Sequence, residues 1–134
     1  MHLLPELTPE NRQYWTGGAN GELLITHCAS CSKAIHPPEL ICPHCLSRDT
    51  IATPALGTGI IYSFTVNYQQ WLPGLNPPYV IVVVDLDGEL GVRVTGELKN
   101  ASPEEVAIGL PVTVCFQQAE DIWIPQFLLE KNGG

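Results

Sequence analysis

Four of the chain's five cysteines stand in two tight pairs, CASC at 28–31 and CPHC at 42–45, with ten residues between them. In each C-x-x-C the two sulfurs bracket one turn and can reach a single ion from the same side. Two such knuckles supply the tetrahedron of four thiolates that zinc accepts at ~2.3 Å. Four protein ligands leave no position for the water that a catalytic zinc needs, so Cys28, Cys31, Cys42 and Cys45 are expected to hold a structural ion. Other chemistries use the same residues. Iron fits a four-sulfur cage. Paired disulfides would need an oxidising compartment. A redox C-x-x-C comes singly at a helix start in a βαβ setting, which this sequence lacks.

The remaining reactive side chains suggest little chemistry. His27, His36 and His44 lie beside or between the cysteines. With four thiolates present they are not needed as ligands, and they are read as knuckle surface. Cys115, in VTVCFQQ, has no base or cation close in sequence to activate it, and is expected to be a half-buried bystander. Asp85, Asp87 and Glu89 cluster at a hairpin, while Glu104 and Glu105 open a helical turn. No Ser-His-Asp order, phosphate-cradling glycine loop or metal-binding carboxylate set is evident. An enzyme acting alone is therefore not expected.

The elements that must position the cysteines follow from the pattern. LTPENRQYWTGG reads as a short helix, with Thr8 as N-cap, Pro9 at the first helical position and Gly17–Gly18 as the stop. Asn11 stands where a capping box would have Glu. Two turns are too few for stability in water, so Tyr14 and Trp15 must pack on this chain or on a partner. GELLITHC is a strand entering the first cysteine pair, and Pro37–Pro38 argues against a helix between the pairs. From Gly57 the period changes to two, with Ile60, Tyr62, Phe64, Val66 and Tyr68 expected on one face of a half-buried strand. YVIVVVDL is a buried strand, Asp87–Gly88 a hairpin turn, and GVRVTGEL, PVTVCFQQ and DIWIPQFLL three more strands. Ser102–Pro103–Glu104–Glu105 carries a capping-box pattern for one helical turn. The expected fold is mainly β, with a helical segment at 1–21, a metal ribbon at 22–53 and a five-stranded OB-fold barrel at 54–134.

Charge limits the partners. Six Lys and Arg face fourteen Asp and Glu, a formal charge of −8. With four thiolates and a divalent ion the sum is about −10. Nucleic-acid affinity rests on cations that displace counterions from phosphates, so a nucleic-acid-binding zinc-ribbon and OB module is the weaker alternative. The sequence contains no apolar run long enough to span a membrane, and its start lacks the pattern of a signal peptide. A cytoplasmic protein is expected. The loop YQQWLPGLNPPY places Trp71, Leu72 and Leu75 among turn residues. They either fold back over a barrel end or form a contact surface for an acyl group or a protein.

These stretches in this order resemble a known family, the acyl-CoA-associated OB-fold proteins with a rubredoxin-like zinc ribbon (domain of unknown function 35). The resemblance rests on RQYW, GELLITHCASC, HPPELICPHC, GTGIIYSFTV, PPYVIVVVDLD and IGLPVTVCF, and covers residues from about 10 to 128. It implies an accessory subunit in a hetero-oligomer with a thiolase-fold enzyme, such as a lipid-transfer-protein-like aldolase, an acetyltransferase or a hydroxymethylglutaryl-CoA synthase. Some members are fused to hydratase domains acting on steroid side-chain thioesters. The metal ligands carry over to the four cysteines. Acyl-CoA or partner contacts are expected from Tyr14, Trp15, Trp71, Leu72, Leu75, Arg93 and Lys99. CoA phosphates would want cations, and Arg12, Arg48, Arg93 and Lys99 are the few on offer. The partner is therefore expected to supply most phosphate contacts.

Overall fold

The computed structural model describes residues 6–69, 77–89 and 91–130. Near its start the carbonyl of Thr8 accepts the N–H of Arg12 at 2.9 Å, and Asn11 Oδ1 accepts the N–H of Thr8 at 2.7 Å. Asn11 thus makes the backward bond expected of Glu in a capping box. The forward bond is absent, since Thr8 Oγ1 has no protein partner among the described residues. Helix α1 (Arg12–Thr16) runs on into a 3-10 turn at Gly17–Asn20. The glycine pair expected as the stop lies inside the turn, and the segment ends at Gly21, whose φ of 72° favours glycine. Gly18 is small for another reason. A Cβ there would sit 2.6 Å from both Phe116 Cδ1 and Trp123 Cβ, so its absence lets the segment lie against the barrel.

Strands β1 (Leu24–Cys28), β2 (Ala34–Ile35) and β3 (Thr50–Pro54) form a small antiparallel sheet in the order β2-β1-β3. Strands β4 (Thr58–Asn67), β5 (Tyr79–Leu86), β6 (Arg93–Leu98), β7 (Pro111–Ala119) and β8 (Ile122–Leu129) close into a barrel in the order β4-β5-β6-β8-β7. This is the five-stranded OB-fold expected from the strand pattern. Its contacts are antiparallel except for one parallel pair, Leu98 with Phe127. Ser102–Glu105 forms one hydrogen-bonded turn and no helix, with the Glu105 carboxylate accepting the N–H of Ser102 at 2.9 Å.

One sequence expectation fails inside β4. Ile60, Tyr62, Phe64 and Val66 do not share a face, because a β-bulge between Ile61 and Ser63 shifts the register by one residue. Before the bulge Ile61 points inward, fully buried, and Ile60 and Tyr62 are exposed. After it Phe64 and Val66 pack on the core. The bulge leaves Tyr62 on the outer surface, where the Arg93 guanidinium lies 3.8 Å above its ring. Tyr68 is also exposed.

Ile61, Val82, Val84, Val94, Val112 and Phe127 fill the barrel. Leu23 and Ile25 from the ribbon side and Tyr14 from α1 belong to the same buried cluster. Tyr14 packs at 4.9 Å edge-on to Trp15 and at 5.2 Å, tilted, to His36. His36 is thus held against the helix and is not knuckle surface. Burial lowers its pKa, and Nδ1 has no protein partner among the described residues.

Two expectations follow. Gly18→Ala forces apart the turn and β7–β8, and overpacking of this kind costs about 1–3 kcal/mol, measured by urea unfolding. For His36, a folded pKa below the unfolded value of ~6.5 means that the unfolded chain binds the extra proton. Its contribution to stability is present above pH ~6.5 and is lost as pH falls toward the folded pKa. His36→Phe is expected to flatten that part of the pH–stability curve; an unchanged slope between wild type and variant would refute it.

Candidate metal centre and the surfaces around it

The two knuckles are built alike. The N–H of Cys28 donates to the carbonyl of Lys33 at 2.9 Å, and that of Cys42 to the carbonyl of Ser47 at 2.8 Å. The N–H groups of Ser32 and Leu46, each four residues after its cysteine, donate back to Cys28 and Cys42 at 2.8 Å. Ser32 and Leu46 hold matching left-handed backbones, with φ of 66° and 63°. The Cys31 N–H points at Cys28 Sγ and the His44 N–H at Cys42 Sγ, both at 3.4 Å. A repeated C-x-x-C thus gives a repeated hairpin, and the repeat brings the sulfurs together.

All four Sγ atoms lie within 4.8 Å of one another, with Cys28 to Cys45 at 3.5 Å and Cys31 to Cys42 at 3.7 Å. Tetrahedral thiolates at ~2.3 Å from one ion are about 3.8 Å apart, so the spacing fits a four-coordinate metal. The electrostatics agree. The Cys31 N–H, with that of Ser30, outweighs burial and holds Cys28 down to about 6. At Cys45 the Ser47 N–H pulls downward, but the neighbouring sulfurs, Cys28 foremost, push the thiol up to about 12. Sulfurs this close cannot all carry charge unaided, and a divalent cation removes the conflict. Such an ion would be held by Cys28, Cys31, Cys42 and Cys45 and would supply cross-linking, with no open coordination position.

His27, expected at the knuckle surface, is half-buried. Its Nε2 lies 2.7 Å from Glu89 Oε2, and Nδ1 lies 2.9 Å from Thr53 Oγ1. Strand alternation turns it away from the sulfurs, toward β3 and the hairpin between β5 and β6. It borders a cleft of about 480 Å³ between ribbon and barrel, with Lys33, His44 and Glu89. Sequence reasoning missed this link because the partners are 62 residues apart and no local pattern joins them.

The expected contact residues are dispersed. Tyr14 is buried within this chain, so its ring is spent on the core. Trp15 is half-buried and edges a groove of about 150 Å³ with Ile81, Thr95, Glu97, Ile124 and Pro125. Arg93 is exposed on Tyr62, and Lys99 pairs with Glu97 at 3.3 Å. Arg93 and Lys99 sit six residues apart along β6 and its end, about 20 Å at strand rise, so they do not form one phosphate clamp. Trp71, Leu72 and Leu75 lie outside the described residues. Cys115 is half-buried, and burial raises its pKa, the opposite of an activated thiol. No helix among the described residues is long and apolar enough to cross a membrane.

The purified chain is expected to carry one metal ion, read by elemental analysis. Cys42→Ala removes a fully buried ligand and should abolish metal retention and the hydrogen-exchange protection of β1–β2. Full metal content in Cys42→Ala would refute the four-thiolate site.

The family model of the ChsH2 rubredoxin-like zinc ribbon domain matches residues 15–50, and that of the ChsH2 C-terminal OB-fold domain matches residues 52–117. The chain is 32% identical over 92% of its length to a probable enoyl-CoA hydratase alpha subunit of Thermomonospora curvata. It is 35% identical over 84% of its length to the 3-oxo-4,17-pregnadiene-20-carboxyl-CoA hydratase alpha subunit of Mycobacterium tuberculosis. It spans only 38% and 35% of the lengths of those two relatives. Among solved structures, it is similar to a chain of the Ltp2-ChsH2(DUF35) aldolase, with a TM-score of 0.87 and 29% identity, covering 96% of this chain and all of that one. Ribbon and barrel, matched in order and almost without a gap, place this chain in the ChsH2-type DUF35 family of zinc-ribbon and OB-fold proteins.

Proposed function

We propose that this chain is a non-catalytic accessory subunit. It binds a thiolase-fold enzyme acting on acyl-CoA, an aldolase, acyltransferase or synthase, and helps form or stabilise that enzyme's acyl-CoA site. The observation that carries the reading is the match along the whole length of a chain that is one component of the Ltp2-ChsH2(DUF35) aldolase. Two physical facts support it. Among the described residues, the candidate metal cluster is made of four sulfurs, and burial raises the Cys115 pKa more than the Lys99 charge lowers it. The cations are few and dispersed, so a CoA site completed by a partner suits this chain better than one of its own.

The ion in this reading is zinc, acting as structure. Its role is to hold the two knuckles in register while the barrel and the surfaces around it meet the enzyme.

The test is recovery of a tagged chain from native lysate, with mass spectrometry of what comes with it. A near-stoichiometric acyl-CoA enzyme is expected, whose turnover falls at least ~10-fold when this chain is removed and returns when it is added back. Elemental analysis of the complex is expected to give zinc. Turnover of an acyl-CoA by this chain alone would overturn the proposal. So would recovery only with nucleic acid that washes off in salt.

A further inference from the structure

The second knuckle presents apolar side chains where the first does not. From Glu39 to Leu46 only Cys42 is buried. Leu40 is 55% exposed, Ile41 39% and Leu46 75%. Leu46 is costly twice over. It holds a left-handed backbone, which disfavours a residue with a bulky side chain by roughly 1–2 kcal/mol, and it leaves an isobutyl group in water. At the matching position of the first knuckle Ser32 has the same backbone and a polar side chain, so the fold does not require leucine here. Pro38, Leu40, Ile41 and Pro43 line a shallow depression, bordered by Glu10 and Glu39. Neither carboxylate has an ion-pair partner among the described residues. The paired backbone bonds, together with an ion on the four sulfurs, would fix this surface before anything binds, which lowers the entropy cost of association.

Resting on the accessory-subunit reading, we propose that the second knuckle is the docking surface for the enzyme subunit, and that the enzyme meets it with an apolar face rimmed by Lys and Arg. The unpaired Glu10 and Glu39 select the basic rim. The same charges work against a second copy of this chain, since a two-fold contact would bring the like-charged rims of two −8 chains together. They also disfavour nucleic acid.

The experiment measures binding of the purified enzyme subunit, identified from the lysate recovery, to the full metal-loaded chain. Leu46→Glu and Ile41→Glu should each weaken binding by about 100-fold with metal content unchanged. Glu39→Lys should slow association and reduce its salt dependence. Leu46→Asn is the sharper variant, because asparagine tolerates the left-handed backbone. It should raise the stability of the ribbon and still weaken docking by about 10-fold. Tyr62→Ala, on the outer face of the barrel, should bind as wild type. Wild-type affinity in the knuckle variants, or loss at Tyr62→Ala instead, overturns the proposal while leaving the accessory reading standing. A wild-type chain that self-associates through Leu46 and binds the enzyme unchanged in Leu46→Glu also overturns it. An acyl-CoA enzyme that fails to bind wild type overturns the accessory reading itself, and the knuckle with it.

Discussion

The crowding of four sulfurs, which one cation would relieve, is the constraint on which the ribbon depends. Its separate buried cluster holds Cys28, Ile35 and Cys42, with Cys31 against it, and among the described residues Ile35 is the only member that is not a cysteine. One isoleucine, at roughly 1.5–3 kcal/mol, cannot offset the ordering of about twenty residues. Binding free energies of ~10–16 kcal/mol for structural zinc in small modules can. The paired backbone bonds then follow from the ligands, because each knuckle has to bend sharply enough to turn both sulfurs inward. In this sense the left-handed residues at Ser32 and Leu46 are consequences of coordination geometry.

The ribbon is not a free appendage. Leu23 and Ile25 lie in the same cluster as the barrel valines, and Tyr14 joins them from α1. A second tie is polar: His27 on β1 meets Glu89 in the β5–β6 hairpin while its other nitrogen meets Thr53. The apolar contact fixes the distance between sheet and barrel, and the histidine, held from both sides, fixes their rotation. The surface of the ribbon is thereby carried at a set angle to the surface of the barrel. Such fixity suits the accessory role proposed above, in which surfaces are presented to another protein.

Much of this was legible from residue types and spacing. The cysteine arithmetic gave the four-sulfur cluster, because a doubled C-x-x-C has few other uses. The period of two gave five barrel strands, and Asp87–Gly88 gave their hairpin. The failures are instructive. Tyr62 sits at a bulge, and a single extra residue inverts every later face assignment, which a strict alternation cannot foresee. Gly18 reads locally as a stop, yet it is small because Phe116 and Trp123 approach it, a contact between residues about a hundred apart. The cysteines beside His27 and His36 point to a surface role, whereas the partners of both come from distant segments. Local chemistry is written locally; closure and docking are written across the chain.

The barrel closes through a single parallel pair, Leu98 with Phe127, supported by the Lys99 N–H donating to Phe127 at 2.9 Å. Every other neighbour pair runs along an antiparallel ladder of three or more registered residues. Pro125, two residues before the closing pair, has no N–H to extend it. Beyond that pair the junction is held by a side chain: the Asn100 amide donates to the Leu129 carbonyl at 3.1 Å and accepts the Leu129 N–H at 2.7 Å. Gly96 lets the two strands close up here, since a Cβ there would sit 2.8 Å from the Pro125 carbonyl oxygen and 3.1 Å from the Phe127 ring. The groove beside Trp15 opens along this junction. Its width is thus set by one side-chain amide and one missing Cβ, and not by a long ladder.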